Sequence, residues 1–280
     1  MTARARLSPW LLLVLPAVAL IGVMYLTPLL RVLWLSVSEP SLGFGNYRLL
    51  LTNATIQRVA GTTLWVCALT TILTVGLGYV IAYTMVHAGR VEMRLMLFCI
   101  LLTFWLSVLV RSFAMLLLLR NDGLVNQLLL ASGLVDHPIQ FVRNATGVVI
   151  GMVHVMIPLA VLPLYAALRG IDPALMRAAR GLGCGPLRAF AYVFWPLSRP
   201  GLAQACVLVF IFSLGFFVTP AILGGGKVVM MTEYIRLQFE QTLRWGLATM
   251  LASSLLLAVL LMLGLASRFL NMRRITGPAA

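Results

Sequence analysis

Few side chains in these 280 residues have the type and spacing to do chemistry. Gly224-Gly225-Gly226-Lys227 comes nearest to a phosphate cradle. A phosphate-binding loop, however, needs Gly, four residues, then Gly-Lys-Ser/Thr, whereas Ala221 holds the first position here and Val228 follows the lysine. No nucleotide site is visible, so any ATP hydrolysis belongs to a separate subunit. His154 interrupts an apolar run, but no Asp or Glu lies inside any apolar run to make it a proton relay. It is expected to be a hydrogen-bonded structural histidine. Cys67, Cys99, Cys184 and Cys206 have neither CxxC nor zinc spacing and read as small apolar fillers. The expectation is a chain with no catalytic residues, no cofactor and no metal.

One stretch breaks the apolar pattern with organised polar residues. It runs from Ala167 to Gly201, ALRGIDPALMRAARGLGCGPLRAFAYVFWPLSRPG. Asp172 before Pro173 is a helix start, because the carboxylate accepts from free N–H groups of the first turn and Pro loses no bond there. Leu175, Ala178, Ala179 and Leu182 fall at i, i+3, i+4 and i+7 as one apolar face, with Arg177 and Arg180 off it and Gly183 as a left-handed stop. A second segment, from Leu187 to Trp195, is expected to close at Pro196 and Pro200. Anionic headgroups attract each surface Arg by about 1 kcal/mol, but a helix lying on lipid needs neither the Gly at that offset nor the second aromatic segment.

Composition dictates what must position this loop. At 61% hydrophobic and 10% charged, with mean hydropathy +1.02, the chain has lipid for most of its solvent. Since ~20 apolar residues are needed per crossing, the chain is read as a single transmembrane domain, 1–280. Its spans are expected near 9–35, 60–86, 95–119, 145–168, 202–223 and 246–266, with the loop at 169–200. The excess charge of +14 is spread between the spans instead of forming a patch for nucleic acid. Arg4, Arg6, Arg90, Arg94, the loop arginines, Arg268, Arg273 and Arg274 collect on one side against only Glu92 and Asp172, which makes that side cytoplasmic and places both termini there. Arg111 falls within the third span, where an arginine costs on the order of 2.5 to 3.5 kcal/mol on insertion scales, so it is expected to face protein or the outer interface.

The loop resembles the EAA loop of bacterial ABC-importer permeases. Ala178, Ala179, Gly183, Phe190, Pro196, Pro200 and Gly201 match its pattern, and Arg177 stands where the family has Glu. The segments WLSVLVRSFAMLLLLRNDGLVNQLL, GMVHVMIPLAVLPLYAALRGID and FSLGFFVTPAILGGGK look like the first permease subunit of spermidine/putrescine-type importers. The resemblance implies an all-α membrane protein of the type I ABC-importer permease fold, with six transmembrane helices and a cytoplasmic two-helix coupling loop. It also implies a bacterial inner-membrane location, a second and different permease, two copies of an ATPase, and a periplasmic binding protein. Arg177, Ala178, Ala179, Gly183 and Phe190 would then face the ATPase. Trp105, Arg111, Phe216 and Phe217 would line the path or gate for a polyamine or related amine. A polycation is held by carboxylates and aromatic faces, yet every acid here lies in a connection, so the partner permease, the binding protein or a different solute must make up the charge. The alternative is a self-sufficient secondary transporter.

Overall fold

A computed structural model describes the backbone of residues 9–275 and the side chains of 14–268. Arg4 and Arg6, and the side chains of Arg273 and Arg274, lie outside the described residues. Among those described, every regular element is helical. In chain order these are α1 (Pro9–Ser38), α2 (Gly45–Thr52), α3 (Ala54–His87), α4 (Arg90–Trp105), α5 (Val108–Leu119), α6 (Leu124–Ala131), α7 (Ala145–Arg169), α8 (Pro173–Gly181) and α9 (Pro186–Ala189). A π-helical turn (Phe190–Phe194) then leads into α10 (Trp195–Leu214), followed by α11 (Val218–Gly224), α12 (Met231–Glu240) and α13 (Trp245–Ile275). Five helical stretches are long and apolar enough to cross a membrane, and six if the bent pair α4–α5 counts as one. The connections after α1, α5 and α11 carry the short helices α2, α6 and α12.

Local chemistry explains the boundaries. Asn144 caps α7 by accepting from the Gly147 N–H at 2.9 Å. Glu92 reaches back to accept from the Gly89 N–H at 3.0 Å and starts α4. Two threonines inside the apolar helix α3 are satisfied by donating to the carbonyl one turn back, Thr63 to Val59 and Thr71 to Cys67, each at 2.7 Å, whereas the buried hydroxyls of Thr70 and Thr74 have no partner among the described residues.

Three expected segments differ from what is observed. The stretch 95–119 is two helices that bend by 102° at Leu106–Ser107, where Leu106 is extended at ψ 136°. Neither Pro nor Gly marks the break. Pro196 and Pro200 do not close the second loop segment, because the helix runs on through both. The π turn, in which the Trp195 N–H donates to the Phe190 carbonyl five residues back, immediately precedes Pro196, which lies in the first turn of α10. The stretch 202–223 stops early, at Leu214, and resumes as α11 after Gly215, Phe216 and Phe217.

The chain divides into two compact units, Met1–Ala54 with Ile235–Ala258, and Thr55–Tyr234 with Val259–Ala280. In the first, the Ser36 and Tyr47 hydroxyls share a hydrogen bond of 2.9 Å between α1 and α2, and Phe239 packs edge-on against Trp245 at 5.3 Å. The second is built around α7. One core cluster joins Met156, Ala160, Val161, Leu164 and Leu168 of α7 to Val75, Ala82 and Met85 of α3 and to Ala205 and Val209 of α10. A second joins Val148, Val149, Met152 and Val153 to Val66, Cys67, Leu214, Leu223 and Met230. A helix apolar all round belongs at such a centre.

Small residues let neighbours approach α7. A Cβ on Gly78 would lie 2.9 Å from that of Ala160, and one on Gly201 would run into that of Ala167. Gly201→Leu should therefore destabilise the protein by about 1 to 3 kcal/mol through overpacking. Gly264→Ala, where a Cβ meets nothing within 4 Å, should be neutral or slightly stabilising. Thermal unfolding of both variants in detergent checks this, and equal melting temperatures would contradict the packing account.

Candidate functional site

The loop between α7 and α10 is a tightly anchored structure. The Asp172 carboxylate caps α8 by accepting from the Ala174 N–H at 2.8 Å, with Pro173 at the first position. At the other end Gly183 takes φ +86°, and the Cys184 N–H returns to the Ala179 carbonyl at 3.1 Å. Both ends lie where the sequence places them.

The packed face of α8 differs from the expected one. Met176 packs against the core and Ala179 is buried, while Ala178 is exposed and Leu175 and Leu182 are 46% and 88% exposed. α8 spans only about two turns, so the partner available at the ends of α3 and α7 decides which side is covered. Arg177 and Arg180 line a cavity of about 290 Å³ together with His87, Asp172 and Tyr83. Leu182, Leu187 and Tyr192 all project outward from the loop.

An aromatic cluster ties this loop to the long helices. Tyr83 of α3 meets Phe194 edge-on at 5.3 Å and Phe190 at 5.7 Å, Phe190 and Phe194 stack at 5.7 Å, and His87 lies 4.3 Å from the Tyr83 ring. One turn earlier, Tyr79 packs on Trp195, and its hydroxyl shares a 3.0 Å hydrogen bond with Ser198. Offset and edge-on ring pairs contribute about 0.5 to 1.5 kcal/mol beyond burial. Sequence reasoning singled out Phe190 but missed this cluster. Its signal was the i, i+4, i+8 spacing of Tyr79, Tyr83 and His87, matched by Phe190 and Phe194.

The residues proposed for a path are dispersed along the break in α10–α11 and the bend in α4–α5. Trp105 ends α4 at the bend and is 89% exposed on this chain. Phe217 is exposed at the start of α11, whereas Phe216 is half-buried against both core clusters, its carbonyl accepting from the Thr232 hydroxyl at 2.9 Å. Among the described residues none of these three makes a ring contact. Arg111, on α5, is buried. Beside it the Ser112 and Thr219 hydroxyls share a hydrogen bond of 2.8 Å that links α5 to α11. His154 lacks the hydrogen bond expected of it, for its enclosed Nδ1 has no partner. The neighbouring α7 residues Met152, Val153 and Ile157 belong to the apolar core and offer the ring no side-chain acceptor or donor.

Among the described residues, no group of His, Cys, Asp and Glu side chains converges as a metal site would require. The cysteines are free, with Cys67 buried in the core and Cys99 exposed.

A sequence profile described as "Binding-protein-dependent transport system inner membrane component" matches residues 74–276. The spermidine/putrescine transport system permease protein PotB of Escherichia coli (strain K12) is 32% identical over 198 residues, covering 70% of this chain and 72% of that protein. The protein of the same name from Haemophilus influenzae is 32% identical over 213 residues, covering 75% and 74%. In the crystal structure of a bacterial alginate ABC transporter with its alginate pentasaccharide-bound periplasmic protein, one chain superposes with a TM-score of 0.80 at 18% identity, covering 97% of this chain and 96% of that one. That likeness is one of fold.

The anchoring of the loop can be separated from its exposed face. Phe194→Ala should cost about 3 to 5 kcal/mol by emptying the aromatic cluster, whereas Leu182→Ser should change stability by no more than about 0.5 kcal/mol. Detergent unfolding curves for the two variants give the comparison. A large loss for Leu182→Ser would mean that its side chain is covered within this chain.

Proposed function

The chain belongs to the family of binding-protein-dependent transport system inner membrane components, and from that premise we propose that it is one of two unlike permease subunits in an ATP-driven importer. In this reading six spans place the 169–200 loop and both termini in the cytoplasm. Two copies of a separate ATPase subunit supply the work, and a periplasmic binding protein delivers the solute. The relatives named for spermidine and putrescine support an amine, with a polyamine first.

The observation that carries the reading is the outward apolar surface of a rigid loop. Among the described residues, Leu182 and Leu187 are almost wholly exposed and Ala178 and about half of Leu175 are also uncovered, while the aromatic cluster holds the loop to α3 and the π turn makes it continuous with α10. A push on exposed Ala178 or Gly183 from a nucleotide-driven subunit would move α10 and α3 with the loop, because α9, the π turn and α10 form one uninterrupted helical run; Ala179, buried beneath them, would transmit it from within. Arg177 offers a cation where the family has a carboxylate, so the complementary group is an acid on the ATPase surface. Phe190 acts from behind, as part of the anchor.

The experiment is co-purification of the ATPase with this chain and its partner permease, followed by ATP-dependent uptake into vesicles. Leu182→Asp and Gly183→Asp should leave the chain in the membrane, release the ATPase and abolish uptake. Leu182→Asp puts a charge in the apolar contact, and Gly183→Asp adds a side chain at a positive φ that costs roughly 1 to 2 kcal/mol. Arg177→Ala should weaken retention less. Retention and uptake at wild-type level in both aspartate variants would remove the loop from the coupling role. Solute accumulation driven by a proton gradient, with this chain alone in the vesicle, would favour the secondary-transporter reading.

Topology has its own test. A reporter active only in the periplasm, fused after Gly225, should give signal, and one fused after Ala280 should give none. The reverse pattern would invert the proposed orientation.

A further inference from the structure

Arg111 is a buried cation with no counter-group among the described residues. It lies one turn into α5, immediately past the 102° bend, and is 7% exposed. Its Nε is fully enclosed and has no acceptor, and among the described residues no ion pair includes it. The terminal nitrogens also lack an acceptor, yet they are not among the sealed atoms, so the small residual exposure lies at the tip of the guanidinium fork.

The surroundings are arranged on three helices that meet. Ser112, next in sequence, is hydrogen-bonded to Thr219 of α11. Gly151 of α7 has no Cβ to keep Thr219 and Leu223 away, so α11 closes on α7 one turn before His154. His154, one turn further along α7, has an enclosed Nδ1 with no partner among the described residues.

An arginine kept inside a membrane protein for structural reasons alone is paired with an acid or with backbone carbonyls, because an unpaired charge there is strongly destabilising. Arg111 has neither, and the guanidinium fork is shaped for two-point contact with a carboxylate. We propose that Arg111, with the Ser112–Thr219 hydroxyl pair next to it in sequence, is the binding site for a carboxylate that comes from outside this chain, on the transported solute or on a helix of the partner permease. The site rests on the importer reading for its ligand. A bare polyamine has no group to place there, so a solute that binds Arg111 carries an acid as well as an amine.

The test uses the whole assembly in vesicles and the full chain alone in detergent, each as wild type, Arg111→Gln and Arg111→Lys. Uptake is measured for two probes of similar length, putrescine and 4-aminobutyrate, of which only the second has a carboxylate. If the solute brings the acid, 4-aminobutyrate is taken up and its KM rises about tenfold or more in Arg111→Gln, while Arg111→Lys recovers part of the loss and the partner permease stays bound. If the partner brings it, Arg111→Gln sheds the partner permease and slows uptake of whichever probe is carried, Arg111→Lys retains both, and neutralising one acid of the partner reproduces the Arg111→Gln loss. Unchanged assembly and unchanged kinetics for both probes in Arg111→Gln would overturn the proposal. The chain alone should melt at an unchanged or higher temperature as Arg111→Gln, since an unpaired buried charge has been removed. A lower melting temperature would mean that Arg111 is paired within its own chain, which overturns the proposal even if the wild-type assembly proves not to import.

Discussion

Close approach to α7 is the constraint on which the larger unit depends. In lipid, helices are not driven together by exclusion from water, so they hold by contact area and by the few polar bonds they can form. Gly78 lets α3 in against Ala160, Gly201 lets α10 in against Ala167, and Gly151 lets α11 in against α7 through Thr219 and Leu223. At each point a single methyl group would separate the backbones. The polar bonds are added where the helices have already met: Thr63 accepts from the Met231 N–H, Ser112 pairs with Thr219, and Tyr79 pairs with Ser198.

The same packing makes the loop stiff. Tyr79, Tyr83 and His87 form a stripe along the last turns of α3, and Phe190, Phe194 and Trp195 lie against it. The π turn falls immediately before Pro196, and Phe190 and Phe194 at its two ends meet one partner, Tyr83. A flexible tether in place of α9 and the π turn would absorb displacement at α8. In the proposed coupling role, the continuous helical run from α9 through the π turn would pass it on to α10.

Much of this was legible in the sequence where the cause is local. Asp172, Pro173 and Gly183 act through their own backbone, and the ends of α8 fall where those residues predict. The apolar runs declared the long helices. Non-local causes were not legible. The side of α8 that is covered depends on Ile171 and on α3, some ninety residues earlier in the chain. The 102° bend at Leu106–Ser107 carries no proline or glycine. The continuation of α10 through Pro196 contradicts the usual meaning of proline and follows a change of hydrogen-bond register that residue types do not announce. His154 was expected to be bonded, on the general rule that buried polar atoms find partners, and the exception became visible only with its neighbours in place.

Arg111 and an amine solute constrain one another. Two like charges 4 Å apart at an effective dielectric of about 20 repel by about 4 kcal/mol, so a polycation passing Arg111 meets a barrier unless an acid has already neutralised it. This chain holds its acids in the connections: Glu39, Glu92, Asp122, Asp136, Asp172, Glu233 and Glu240 all lie outside the expected spans. Under the proposed importer reading, with Arg111 on the path, a solute that is only an amine would require a carboxylate from the partner permease beside Arg111, and the cation would then fix where the two permeases meet. A solute with its own carboxylate requires none, and Arg111 becomes a determinant of specificity. The identity of the solute and the character of the permease interface are in this way one question, decided at one guanidinium.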